Sequence, residues 1–127
     1  MKIPLFLAIS AVSVLLAAGT VNAADVAKGK RVFNKCKACH SLVMNKHRIG
    51  PSLHGLFGRA AGKAPKYRFS RAMKKAGASG LIWSPETVAK YLTKPRAFIK
   101  GTKMAFAGIK KKRDMENLMA FLKQASK

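Results

Sequence analysis

Five consecutive residues, Cys36-Lys37-Ala38-Cys39-His40, constrain this chain more than any other stretch of its sequence. Two thiols three positions apart share one side of a helical turn, and an imidazole follows directly. That spacing is the pattern of a c-type haem attachment site. Each thiol can add across a vinyl group of the porphyrin, and His40 can place a ring nitrogen on the iron. A redox dithiol of the thioredoxin kind belongs in a βαβ setting, and the sequence shows no strand pattern. A structural zinc needs four ligands, whereas the chain offers only these cysteines with His40, His47 and His54, and no second ligand pair at finger-like spacing. A structural disulfide is a further rival, and export from the cytoplasm weighs toward haem over all three.

Export is argued by the amino terminus. Lys2 supplies a basic n-region, Ile3 to Ala18 an apolar h-region interrupted by Pro4, Ser10 and Ser13, and Val21-Asn22-Ala23 a small-residue cleavage site. Residues 1–23 are therefore expected to be a secretory signal peptide cut after Ala23, leaving residues 24–127 as one domain in the periplasm. The apolar run is short for a bilayer span and lacks a basic stop-transfer cluster, so no stable membrane span is expected after cleavage.

The chain carries 26 Lys and Arg against 4 Asp and Glu, a net charge of +22. Loss of Lys2 leaves 25 against 4, or +21. Such a field attracts polyanions, acidic protein patches and anionic lipid. Nucleic acid is disfavoured as a partner, because an exported chain rarely meets it and the basic residues are dispersed along the sequence.

Asp25 reads as a helix N-cap, followed by Val26, Ala27, Gly29, Val32, Phe33 and Cys36 at near-helical spacing. From Ser41 to Lys66 no clean period survives, and Gly50-Pro51, Gly55, Gly58, Gly62 and Pro65 preclude a long regular element. A short helix is expected from Ser70 or Arg71 to Lys75, before Gly77 and Gly80. Ser84-Pro85-Glu86-Thr87 starts another, with a serine cap and proline at the first helical position, and that helix stops near Thr93 before Pro95. A final helix spans about Lys112 to Ala125, with Met115, Leu118, Met119, Phe121 and Leu122 on its apolar side. Loops as long as those between the helices need a reason to be ordered. A flat apolar macrocycle provides one, since loops can pack on its faces while helices close its edges.

An iron held by His40 has a sixth position to fill. An open site favours ligand binding or peroxide chemistry, whereas a methionine thioether gives an electron carrier of raised potential. Met1 leaves with the signal, Met115 and Met119 suit the core, and Met44 is too near His40 to reach the other haem face. Met73 and Met104 remain. Met104 lies in a loop bounded by Gly101 and Gly108, whose glycines permit close backbone approach.

At the level of whole motifs, residues 25–127 resemble class I cytochromes c of the mitochondrial cytochrome c and bacterial cytochrome c2 branch. The likeness rests on Cys36-Lys37-Ala38-Cys39-His40, on Gly50-Pro51-Ser52-Leu53-His54-Gly55-Leu56-Phe57-Gly58-Arg59, and on Gly101-Thr102-Lys103-Met104 running through Phe106-Ala107-Gly108-Ile109-Lys110-Lys111-Lys112. It implies an all-α fold in which the terminal helices cross and shorter helices and long loops wrap one covalent haem c. It implies thioether links at Cys36 and Cys39, axial ligands His40 and Met104, and a Pro51 carbonyl that orients the His40 ring. Arg59 and Trp83 would lie near a propionate, Tyr91 and Thr102 near the methionine. Gly29 and Phe33 would meet Leu118 and Phe121 at the helix crossing. Phe69, Met73 and Lys100 depart from the usual tyrosine, asparagine and proline. His47 is expected to tie a loop carbonyl and His54 to lie at the surface.

The expected function is that of a soluble, monomeric, periplasmic one-electron carrier of a respiratory chain, without enzymatic activity. Its partners would be acidic redox proteins, such as a cytochrome bc1-type donor and a terminal oxidase or other periplasmic oxidoreductase. The alternative is a haem protein with a labile sixth ligand acting in peroxide or small-gas chemistry. By the same resemblance, Arg31, Lys35, Arg48, Arg96, Lys103, Lys110 and Lys111 would rim the haem edge that meets those partners.

Overall fold

The computed structural model describes residues 23–127. The expected signal peptide therefore lies, apart from Ala23, outside the described residues. Asp25 caps α1 (Val26–Phe33) by accepting the Lys28 backbone N–H at 3.0 Å, which satisfies one of the orphan donors of the first turn. The regular helix ends three residues before Cys36, earlier than the apolar spacing suggests. Tight turns then carry the chain on: Cys36 N–H donates to the Phe33 carbonyl at 2.8 Å and His40 N–H to the Cys36 carbonyl at 2.9 Å.

The short second helix, α2 (Arg71–Ala78), starts under a Ser70 cap and runs through Gly77 instead of stopping at Lys75. Gly77 is there for lack of bulk, not to end the helix. A Cβ at that position would stand 1.8 Å from the Ala61 carbonyl oxygen. Helix α3 (Pro85–Thr93) has the expected serine cap, completed into a reciprocal box by Thr87. One turn not foreseen in the sequence, α4 (Pro95–Phe98), follows at once. The last helix, α5 (Lys112–Ala125), occupies the expected span and buries Met115, Leu118, Met119 and Leu122.

Helices α1 and α5 cross closely because α1 offers a glycine at the contact. A Cβ on Gly29 would lie 1.9 Å from the Asn117 carbonyl oxygen and 2.8 Å from Phe121 Cβ, so Gly29 meets Phe121, as expected, and also the Asn117 backbone. The Phe33 and Phe121 rings pack with centroids 5.2 Å apart. Asn117, only 2% exposed, accepts the Asp25 N–H at 2.8 Å and so ties the start of one terminal helix to the body of the other. Among the described residues the extended backbone pairs only as an isolated bridge between Ala60 and Ile82. The fold is all-α, with loops 34–70 and 99–111 closing over one side of the helical frame.

Candidate haem site

All nine residues singled out in the sequence line one cavity: Cys36, Cys39, His40, Pro51, Arg59, Trp83, Tyr91, Thr102 and Met104. They come from the α1 exit turn, both long loops, the connection between α2 and α3, and α3 itself, so only the folded chain brings them together. Apolar walls are added by Leu53, Leu56, Phe69, Val88, Phe106 and Leu118.

The turn after α1 sets the two free thiols and the imidazole side by side. His40 Nδ1 lies 2.7 Å from the Pro51 carbonyl oxygen. That oxygen can only accept, so Nδ1 carries the proton and Nε2 keeps its lone pair for a metal. Burial lowers the His40 pKa, partly opposed by the Pro51 bond, and a neutral ring is the ligating form. Before haem is attached, burial pushes the Cys36 thiol up to about 11.

Gly50 has a role that its reading as a helix breaker missed. A Cβ there would stand 2.3 to 2.8 Å from three atoms of the His40 ring, so the glycine is the floor on which the imidazole rests. The signal in the sequence was its place directly before Pro51. Gly50 N–H also donates to the Cys39 carbonyl at 2.8 Å, which closes the loop onto the thiol turn.

His47 ties a loop carbonyl, as expected, and so pins two parts of the 34–70 loop together. Ser52 N–H donates to its Nδ1 at 2.9 Å, and the proton left on Nε2 bonds the Pro65 carbonyl at 2.7 Å. His54 is half-buried, not fully at the surface, because its carbonyl is held by Arg59. The Arg59 guanidinium donates to the His54 and Ser52 carbonyls at 3.1 and 3.2 Å. Partial burial lowers its pKa, yet a guanidinium remains cationic, so a half-buried positive charge faces the cavity.

On the methionine side the Tyr91 hydroxyl meets Thr102 Oγ1 at 2.5 Å, and Thr102 Oγ1 accepts the Met104 N–H at 3.3 Å. Burial raises the Tyr91 pKa, with the Thr102 bond opposing it. Met73 also reaches the cavity, but from α2, with its N–H held by the Ser70 hydroxyl. Phe69 lines the wall edge-on to Tyr67, centroids 4.7 Å apart, while the Tyr67 hydroxyl is engaged by the Ile49 carbonyl at 2.6 Å. No phenol at position 69 is available to a buried carboxylate.

Two alkylatable thiols, an imidazole with a free lone pair, a thioether and apolar walls are the donor set and surroundings of a c-type haem, and the Gly50 floor fits a ring seated at His40. Fold and site together define an all-α c-type haem protein. A family model described as cytochrome c matches residues 26–126. The chain is 48% identical over 99 residues to cytochrome c2 of Afifella marina, covering 77% of this chain and 80% of that one. It is 47% identical over 102 residues to cytochrome c-550 of Bradyrhizobium diazoefficiens, covering 80% and 73%. The solved structure of cytochrome cH from Methylobacterium extorquens superposes with a TM-score of 0.70 at 40% identity, covering 78% of this chain and 97% of that one. This chain belongs to the cytochrome c family, and it carries one covalently attached haem c as an electron carrier.

Proposed function

We propose that the protein is a periplasmic one-electron carrier whose haem iron is held between His40 and Met104. The haem supplies a ferric and ferrous couple, and the chain decides how tightly that couple is held and what can approach it. The observation that carries the reading is the fixed tautomer of His40: its Nδ1 proton is committed to Pro51, so Nε2 is committed to the metal. Thr102 and Tyr91 hang the Met104 loop from α3, which supports a sixth ligand that stays bound and argues against the labile-ligand alternative. With His40 and Met104 both holding the iron, no substrate would meet it, and the protein would not act as an enzyme.

Cleavage after Ala23 would release residues 24–127, in keeping with the apolar h-region before it. Among the described residues no helix is long and apolar enough to cross a membrane. Arg31, Lys35, Arg48, Arg96, Lys103, Lys110 and Lys111 are all exposed, which supports a basic rim for acidic redox partners, a cytochrome bc1-type donor and a terminal oxidase or other periplasmic oxidoreductase. The protein would act on them as a monomer. Rim charges act mainly on association rate and are screened over roughly 8 Å at physiological salt.

The ligand assignment is tested by Met104→Ala and Met73→Ala. Met104→Ala removes the sulfur-to-iron absorption at the red edge of the ferric spectrum and lowers the potential, since a thioether favours ferrous iron. Met73→Ala leaves the band in place. The reverse pattern refutes the assignment.

A further inference from the structure

We propose that the outer face of α2, with the 63–68 loop beside it, is a second docking surface that binds an acidic polypeptide segment of a redox partner. Of the chain's four acidic side chains, Asp25, Glu86 and Asp114 stand at the starts of α1, α3 and α5, and Glu116 lies just past the first turn of α5. Ion pairs form at those helix starts, Lys28–Asp25 and Lys112–Glu116 at 3.9 Å and Arg113–Glu116 at 3.2 Å. Between Asp25 and Glu86 the sequence contains no carboxylate at all.

Inside that acid-free stretch Lys63, Lys66, Arg68, Arg71, Lys74 and Lys75 set six cations within thirteen residues, each of them exposed. Arg71, Lys74 and Lys75 follow the spacing that shares one helical face. Met73, by contrast, is buried at the cavity, and Gly77 is pressed on Ala61. A Cβ on Gly62 would stand 3.0 Å from Lys74 Cα, so the loop lies against the helix and brings Lys63 to the same side. Like charges at this spacing repel one another, and no carboxylate in the segment relieves them. The patch also reaches the cavity mouth, where Lys103, one of the lining residues, donates to the Arg68 carbonyl at 3.5 Å.

A polypeptide fits this surface better than a bilayer does. Among the described residues the large exposed hydrophobics are Val43, Met44, Ile49, Ile82 and Phe98, none of them on α2 or the 63–68 loop. Peripheral membrane binding draws on inserted apolar area as well as charge, and this face offers charge alone. An acidic segment lying across it would be guided toward Lys103 and the haem edge. The partner's redox role rests on the carrier reading above, whereas the binding does not.

The test is equilibrium binding of the holoprotein to poly-L-glutamate, with vesicles of phosphatidylcholine and phosphatidylglycerol in parallel. The triple variant Arg71→Glu, Lys74→Glu, Lys75→Glu is compared with Lys30→Glu, Lys90→Glu, Lys127→Glu, which has the same net charge. Polyglutamate affinity falls about tenfold in the first and less than about twofold in the second. The neutral triple Arg71→Gln, Lys74→Gln, Lys75→Gln falls between them and guards against misfolding of the reversed one. Equal losses in both reversed triples leave only the diffuse field and overturn the proposal. A patch effect seen with vesicles but not with polyglutamate assigns the face to lipid, which also overturns it. Electron-transfer rates of Lys35→Glu and Lys111→Glu report separately on the carrier reading.

Discussion

Gly29 and Gly50 are both glycines without room for a Cβ, yet their neighbours make them guardians of different properties. At Gly29 the obstacle is the Asn117 carbonyl, backbone in the middle of α5, which cannot move without parting the terminal helices. At Gly50 it is the His40 imidazole, a side chain held by one hydrogen bond to Pro51. The helix junction is thus rigid and purely structural. The cavity side is built from loops held by side-chain bonds to backbone carbonyls, and strain there is transmitted to the His40 ring. Stability and redox chemistry should be separable by substitution.

The largest effect is expected from Gly29→Val. Overpacking against backbone costs about 3 kcal/mol, read by denaturant unfolding, while the absorption spectrum of the surviving folded protein stays unchanged. A loss below about 1 kcal/mol would mean that the helices can slide, and the contrast would fail. Gly50→Ala inverts the pattern. It costs about 1–2 kcal/mol and shifts the haem spectrum and potential, because the imidazole is what moves.

A smaller effect belongs to Thr102→Val, which strips the Tyr91 hydroxyl and the Met104 N–H of their shared partner. A stability loss of about 1 kcal/mol is expected, together with loss of the sulfur-to-iron band at a lower pH than in the parent during alkaline titration. Lys100 and Lys103, which flank the loop, are the replacement ligands expected there. If the band survives to the same pH as in the parent, Thr102 does not hold the loop.

The smallest effect is expected from Asp25→Asn. The Asp25 carboxyl is held below its ordinary value of 3.8, chiefly by the Lys28 backbone N–H. Its contribution is therefore complete above the ordinary value and is lost as pH falls through the lower, folded one. Asparagine keeps a neutral cap but not the charge-dependent part, so Asp25→Asn flattens that acid limb, lies slightly below the parent at neutral pH and meets it at low pH. Unfolding curves at acidic and neutral pH decide this.

What could be read from the sequence followed how local each cause is. The caps at Asp25 and Ser84 and the stop at Pro95 act within one turn, and the helices they bound lie where the sequence puts them. Seven of the nine cavity residues were legible as members of motifs and Trp83 and Tyr91 only through the family resemblance, while spacing alone left Met73 beside Met104. Long-range causes left weaker traces. Gly77 looked like a helix end because its partner, the Ala61 carbonyl, is sixteen residues away in sequence. Asn117 gave no sign of itself, since nothing marks a polar residue on an apolar face as the acceptor for a terminus 92 residues earlier. The one-turn α4 is too short for any periodicity to reveal.

The turn from Cys36 to His40 also sets a local hold apart from a distant one. Both thiols and the imidazole sit within five residues, a stretch that a chain can present before any tertiary contact exists. Met104 lies 64 positions beyond His40 and comes to the cavity only when the loop from Gly101 has closed beneath α3. Sequence distance thus separates two kinds of hold: the one at Cys36 and Cys39 needs only a local stretch of chain, whereas Met104 is presented to the cavity by the folded protein alone.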